Sequence, residues 1–218
     1  MDRYGYTWSI DYNLPFDDIS STGTKALFNT DDDGFVKIHL NEGPQSTFQF
    51  YFYGKYYGFL YANVNGFLSS DGVPSSAAYQ NREIPSENGF GSIYAGGHSL
   101  IAPFWDDLDP KNTGNLYYQY NSVDGQEKTI IQWDKFGYTR NSMDGHTATF
   151  QVWLMPTNEN RQSDVYFLYK EFTNNNPGNE YTVGIENRAG TNGLGMYHNT
   201  YIGVSNNYGI HVDSSGTR

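Results

Sequence analysis

The residues best placed to do chemistry are three carboxylates within four positions: Asp106, Asp107 and Asp109. They follow an apolar run, Ile101-Ala102-Pro103-Phe104-Trp105, and a proline stands on each side, Pro103 and Pro110. Phe104 and Trp105 carry enough apolar area to anchor a core. The stretch therefore reads as a strand leaving the core and arriving at a polar rim. Pro103 lacks a backbone donor and suits a strand edge or a bulge, not a central ladder position. Two chemistries are open to the aspartates. They can order a turn through side chain-to-backbone hydrogen bonds. Alternatively, together with Asn112, they can offer oxygens to calcium around a turn at Gly114. Glycoside hydrolysis needs two facing carboxylates, and nothing in the spacing of Glu83, Glu87, Asp106, Asp107 and Glu186 pairs any two of them.

A second set of candidates is aromatic. Tyr56, Tyr57, Tyr79, Tyr94 and Tyr138 fall in stretches that read as loops or turns. They either close the ends of the fold or form a platform for a glycan or protein partner, because such rings supply contact area at low entropy cost. Trp153 poses the same question. In a regular strand it faces away from Phe150, Val152 and Leu154, and is then covered by a second layer or exposed as a contact.

No catalytic constellation accompanies these groups. There is no Gly-x-Ser-x-Gly elbow, no phosphate-binding glycine loop and no His-Glu-x-x-His. The histidines, His39, His98, His146, His198 and His211, are scattered along the chain. The expectation is a non-enzymatic protein.

The elements that must position these residues are strands. Aromatics make up 17% of the 218 residues, with Tyr 20 and Phe 14, and Gly 24 supplies turns. The apolar content sits in rings, which favours pleated sheets over helices. Phe35 to Leu40 alternates, with Val36, Ile38 and Leu40 on one face. Phe48, Phe50 and Phe52 alternate likewise, and so do Phe150, Val152 and Leu154. Asn65-Gly66 marks a hairpin, since both residues tolerate positive φ. Gly54 to Gly58, residues 134–146 and Gly190 to Gly195 read as turns or loops. The count is roughly ten to twelve short strands with turns about every 8–12 residues, the pattern of an antiparallel sandwich or barrel. Residues 1–30 read as an irregular lead-in, 71–99 as a long loop and 213–218 as a flexible end, all within a single domain spanning 1–218.

The formal charge of -11, from 13 basic and 24 acidic residues, argues against nucleic acid and anionic membranes as partners. Cysteine is absent, which excludes disulfides, thiol catalysis and Cys-zinc sites. No stretch approaches the roughly 18 apolar residues of a membrane span.

Several stretches together resemble the nidogen-type (NIDO-like) extracellular domain. They are Phe52-Tyr53-Gly54-Lys55-Tyr56-Tyr57, Val64-Asn65-Gly66-Phe67-Leu68, Leu100 through Leu108, and Gly114-Asn115-Leu116-Tyr117-Tyr118. Ile131-Gln132-Trp133, Thr149-Phe150-Gln151-Val152 and Thr182 through Asn187 resemble its bacterial relatives, as does the opening Tyr4-Gly5-Tyr6-Thr7-Trp8. The resemblance covers most of residues 4–212. It implies an all-β, antiparallel sandwich of jelly-roll or NIDO-like kind. It also implies a secreted or cell-surface module of a larger bacterial chain. Such a module would adhere to a glycan or protein on a cell or matrix surface through aromatic and acidic rim loops, without a catalytic residue set. The alternative is a self-assembling surface or fibre subunit, a homo-oligomer; a polysaccharide hydrolase ranks below both.

Overall fold

The computed structural model describes residues 1–29, 32–41, 47–71, 79–86, 98–110, 113–123, 126–138, 145–157, 161–200 and 203–216. Among them lie sixteen strands, no α-helix, and one 3-10 turn at Thr173–Asn175. One sheet contains β1 (Thr7–Ile10), β2 (Thr24–Ala26), β9 (Leu108–Asp109), β10 (Asn115–Val123), β11 (Gln126–Tyr138), β12 (His146–Leu154), β13 (Val165–Phe172) and β16 (Tyr208–Asp213). Its order is β1-β16-β13-β12-β11-β10-β2, with β9 alongside β11. The second sheet contains β3 (Phe35–His39), β6 (Phe59–Asn63), β7 (Phe67–Ser69), β8 (Leu100–Trp105), β14 (Thr182–Glu186) and β15 (Gly193–His198). Its order is β15-β14-β8-β7-β6-β3. A separate ribbon pairs β4 (Phe50–Phe52) with β5 (Lys55–Tyr57). Pairing is antiparallel throughout, and the sheets stay open as a sandwich.

The strand count exceeds the ten to twelve expected in part because two supposed turns are strands, Lys55–Tyr57 returning along Phe50–Phe52 and Gly193–His198 pairing with β14, and because Leu108–Asp109 adds a short strand. The stretch expected as a loop from residue 134 instead continues β11 to Tyr138. Glycine favours turns, yet here it stands within or beside strands. Gly195 stands in a strand because the backbone of Ile84 lies on it: a Cβ at Gly195 would sit 2.4 Å from the Ile84 carbonyl oxygen. At the start of the expected flexible end, Asp213 is the last residue of β16. Ser214 is buried, and both its N–H and its hydroxyl donate to Asp164.

The alternating residues meet between the sheets. Phe104 from β8 packs with Phe150 at 5.6 Å, Phe172 at 5.1 Å and Tyr181 at 4.9 Å between ring centroids. Trp133 stacks on Phe150 at 5.1 Å and donates its indole N–H to the Asn63 carbonyl at 2.9 Å, a bond that crosses from sheet to sheet. Burying one such aromatic contributes on the order of 2–3 kcal/mol. Trp105 points the other way, into a small cluster with Phe67, Ile84, Leu100 and Ala102 on the outer face of the second sheet. Pro103 does lie in a central strand, but at a bulge: Trp105 pairs with Thr182 and Ala102 with Gly184, so the register slips across it. The missing donor costs no ladder bond there.

Both outer faces are partly covered. On the first sheet, residues 14–19 lie over Ile130, Trp153 and Leu168, with Ile19 buried among them. Trp153 is therefore covered, and Lys128 Nζ sits 3.4 Å above its ring. On the second sheet, residues 81–86 cross β14 and β15. Asn81 donates to the Thr182 hydroxyl at 3.0 Å, and that hydroxyl donates to the Arg82 carbonyl at 2.8 Å.

Candidate binding face

Among the described residues, the segment 81–86 leaves half of the second sheet uncovered, and that half is aromatic. On β3 the inward position Ile38 is buried, so Phe35, Lys37 and His39 point outward. On β6 Leu60 and Ala62 are buried and Phe59 and Tyr61 point outward. The register sets Lys37 opposite Tyr61 and His39 opposite Phe59. Diagonal neighbours then meet edge to face: Phe35 and Tyr61 at 5.5 Å, and Phe59 and Tyr61 at 5.8 Å along the strand. Lys37 Nζ sits 3.7 Å above the Phe59 ring, which is 36% exposed. Tyr56, two residues after the Gly54 turn, is 45% exposed and packs on Tyr51 at 5.6 Å.

A polar group borders this ladder. Tyr61 pairs with Ser69, and the Ser69 hydroxyl donates to the Asp71 carbonyl at 2.6 Å. The Asp71 carboxylate takes the Ser70 hydroxyl at 2.9 Å and Arg188 Nη1 at 3.2 Å, with His98 Nδ1 at 3.7 Å. Behind it the Ser99 N–H donates to Ser70 Oγ, and Ser99 Oγ lies 2.6 Å from the Tyr57 hydroxyl. Asp71 and Arg188 keep about two-fifths of their side chains in solvent, at 41% and 44%, whereas His98 keeps 12%. Burial pushes the His98 imidazole down, more strongly than Asp71 raises it, so the ion pair at neutral pH is Asp71 with Arg188. What results is a paired carboxylate and guanidinium just past the ends of β7 and β14, beside edge-to-face rings.

The residues singled out from sequence are dispersed. Tyr56 is exposed on β5. Tyr57 and Tyr138 depart from expectation: both are core residues, at 7% and 1% exposure. Tyr57 is the inward partner of Phe50, and the Tyr138 hydroxyl donates to the Asn176 carbonyl at the end of a longer β11. Tyr79 is half-buried, its hydroxyl accepting from Gln80 at 2.8 Å. Tyr94 and Asn112 lie outside the described residues.

The acidic run sits at the other end of β8 from Asp71. Asp106 is buried and its Oδ1 accepts the Asp107 N–H at 2.8 Å, the turn-ordering arrangement. Asp109 enters β9 opposite Gly137. Among the described His, Asp and Glu residues, the group whose ligand atoms converge within 4.8 Å is Asp164, His211 and Asp213, not the 106–109 aspartates.

Phe35, Phe59, Tyr61, Asp71 and Arg188 were not picked out in advance. The ladder was legible in part: once Val36, Ile38 and Leu40 face the core, the intervening residues face out. Asp71 and Arg188 carried no signal, being joined only by the pairing of β7, β8 and β14.

The two open antiparallel sheets, with outer faces partly covered, define an all-β sandwich module. The chain belongs to the NIDO-related family, whose model matches residues 5–212. Domains of this kind are typical of extracellular proteins. No curated protein and no solved structure is similar enough to the chain to count as a match. No helix among the described residues is long and apolar enough to cross a membrane.

Proposed function

We propose that this domain is a non-catalytic recognition module that holds a glycan on the open face of its second sheet. The observation that carries the reading is the outward Phe35–Tyr61–Phe59 ladder, with Phe59 exposed and Phe35 and Tyr61 half-buried, beside the Asp71–Arg188 pair. Sugar rings present apolar faces that stack on aromatic rings, and hydroxyls that a paired carboxylate and guanidinium can bond at once. The rings stand in strands, and Asp71 and Arg188 are paired with each other just past the ends of β7 and β14, so part of the ordering entropy is already lost before binding. A non-catalytic role is supported by the order of contacts around Asp71. The Ser70 hydroxyl donates to the carboxylate directly, whereas a nucleophile relay needs the imidazole between them.

The test is a glycan and polysaccharide array probed with the intact chain, followed by Phe59→Ala/Tyr61→Ala and Arg188→Ala. Reproducible hits lost in both variants, with the melting temperature kept, support the reading. A blank array with folded protein, or hits unaffected by either change, removes it. A partner for self-assembly would instead appear as concentration-dependent sedimentation.

A further inference from the structure

The outer face of the first sheet carries a second group of polar side chains that the glycan reading does not use. His211 and Asp213 stand two apart on β16 and so project from the same face. Asp164 precedes Val165, whose partner is Val212, so Asp164 comes up across from Asp213. One donor atom from each of the three lies within 4.8 Å of the others. We propose that Asp164, His211 and Asp213 form a binding site for a first-row divalent cation of the zinc class.

Three features favour a cation over a purely structural clasp. The first is the donor set: one imidazole nitrogen and two carboxylate oxygens suit zinc and its neighbours, leaving a coordination position for water or a ligand group. The second is orientation. The His211 ring lies flat on Tyr166, centroids 4.2 Å apart and 6° from parallel, and its Nε2 shares a 2.9 Å hydrogen bond with Asp164 Oδ2, so a cation bound there takes the place of the shared proton. The Ser214 N–H and hydroxyl hold Asp164 Oδ1 at 2.9 and 2.6 Å, and the Ser215 N–H holds Asp213 Oδ1 at 2.6 Å. Supports of this kind are what fix ligand direction in metal sites. The third is charge: like charges facing across paired strands are unfavourable, and a divalent ion between Asp164 and Asp213 reverses that sign. All three residues are only partly buried, so an ion reaches them without opening the fold.

The experiment is calorimetric titration of zinc chloride into the chelator-stripped intact chain, repeated with His211→Gln, Asp213→Asn and the distant His39→Gln. We expect one saturable site per chain, weakened roughly tenfold or more in the first two variants and unchanged in the third. Asp213→Asn keeps an oxygen for Ser215, so its fold is preserved if His211→Gln loosens the strand. No saturable binding by the parent chain overturns the proposal. So does binding that His211→Gln and Asp213→Asn leave intact, or that His39→Gln weakens equally.

Discussion

The side-chain oxygen of Asn65 accepts the backbone N–H of Leu108 at 2.9 Å, joining two segments 43 residues apart. The Asn65 amide donates to Asp33 at 2.7 Å, and its carbonyl accepts the Asp106 N–H at 3.3 Å. The hairpin turn and the acidic rim are thus one unit. Gly66 completes it: with φ at +75°, a Cβ there would lie 2.0 Å from the Phe104 carbonyl oxygen. Asn65 is wholly buried. Asn65→Ala strands a buried N–H and should cost about 2–4 kcal/mol in urea unfolding. A loss under 1 kcal/mol would show that the junction relaxes around the gap.

Glu186 gives a pH signature. Burial pushes its carboxyl up to about 7, although the Ser86 N–H pulls the other way. The unfolded chain ionises near 4.5, so between roughly pH 4.5 and 7 the folded state holds the extra proton. Stability contributed by this group is complete below pH 4.5 and falls by about 3 kcal/mol as the pH rises to 7. Glu186→Gln should flatten that limb in denaturation at stepped pH. Asp164 acts oppositely. Burial raises its carboxyl, but the His211 and Ser214 hydrogen bonds outweigh that and hold it below 3.8, so its contribution is lost on acidification. Parallel curves for parent and Glu186→Gln would refute the assignment.

The strap over β14 and β15 rests on bare backbone. Gly195→Ala places a methyl against the Ile84 carbonyl and should lift residues 82–86, costing about 1–3 kcal/mol. Limited proteolysis should cut that segment earlier in the variant than in the parent. An unchanged cleavage pattern would show that the strap shifts as a body.

Two outward aromatics should respond differently to truncation. Trp153 lies under residues 14–19, and its indole N–H donates to Gln151 at 2.9 Å. Trp153→Ala should lose about 3–5 kcal/mol. Phe59→Ala, on the open ladder, should stay within about 1 kcal/mol of the parent. A large loss at Phe59 would mean that the ring serves packing and not recognition.

Much of the architecture was legible from residue order. Alternation with period two, aromatic-rich runs, Asn65-Gly66 and the absence of any helical period together determined an all-β antiparallel sandwich, because each signal reports a local backbone preference or a face. The inward role of Phe104 and the bulge at Pro103 followed for the same reason. Tertiary structure alone decided which outward face is covered. Trp153 and Phe59 both point outward from their sheets, yet residues distant in sequence bury the first, and the second stays exposed. It also decided which polar groups meet: Asp71 with Arg188, and Asp164 with His211 and Asp213. The consecutive aspartates were conspicuous in the sequence but do not converge. Asp106 is buried in the turn between β8 and β9, where its Oδ1 is taken by the Asp107 N–H, and Asp109 sits in β9, whereas strand pairing brings together residues that no spacing rule connects.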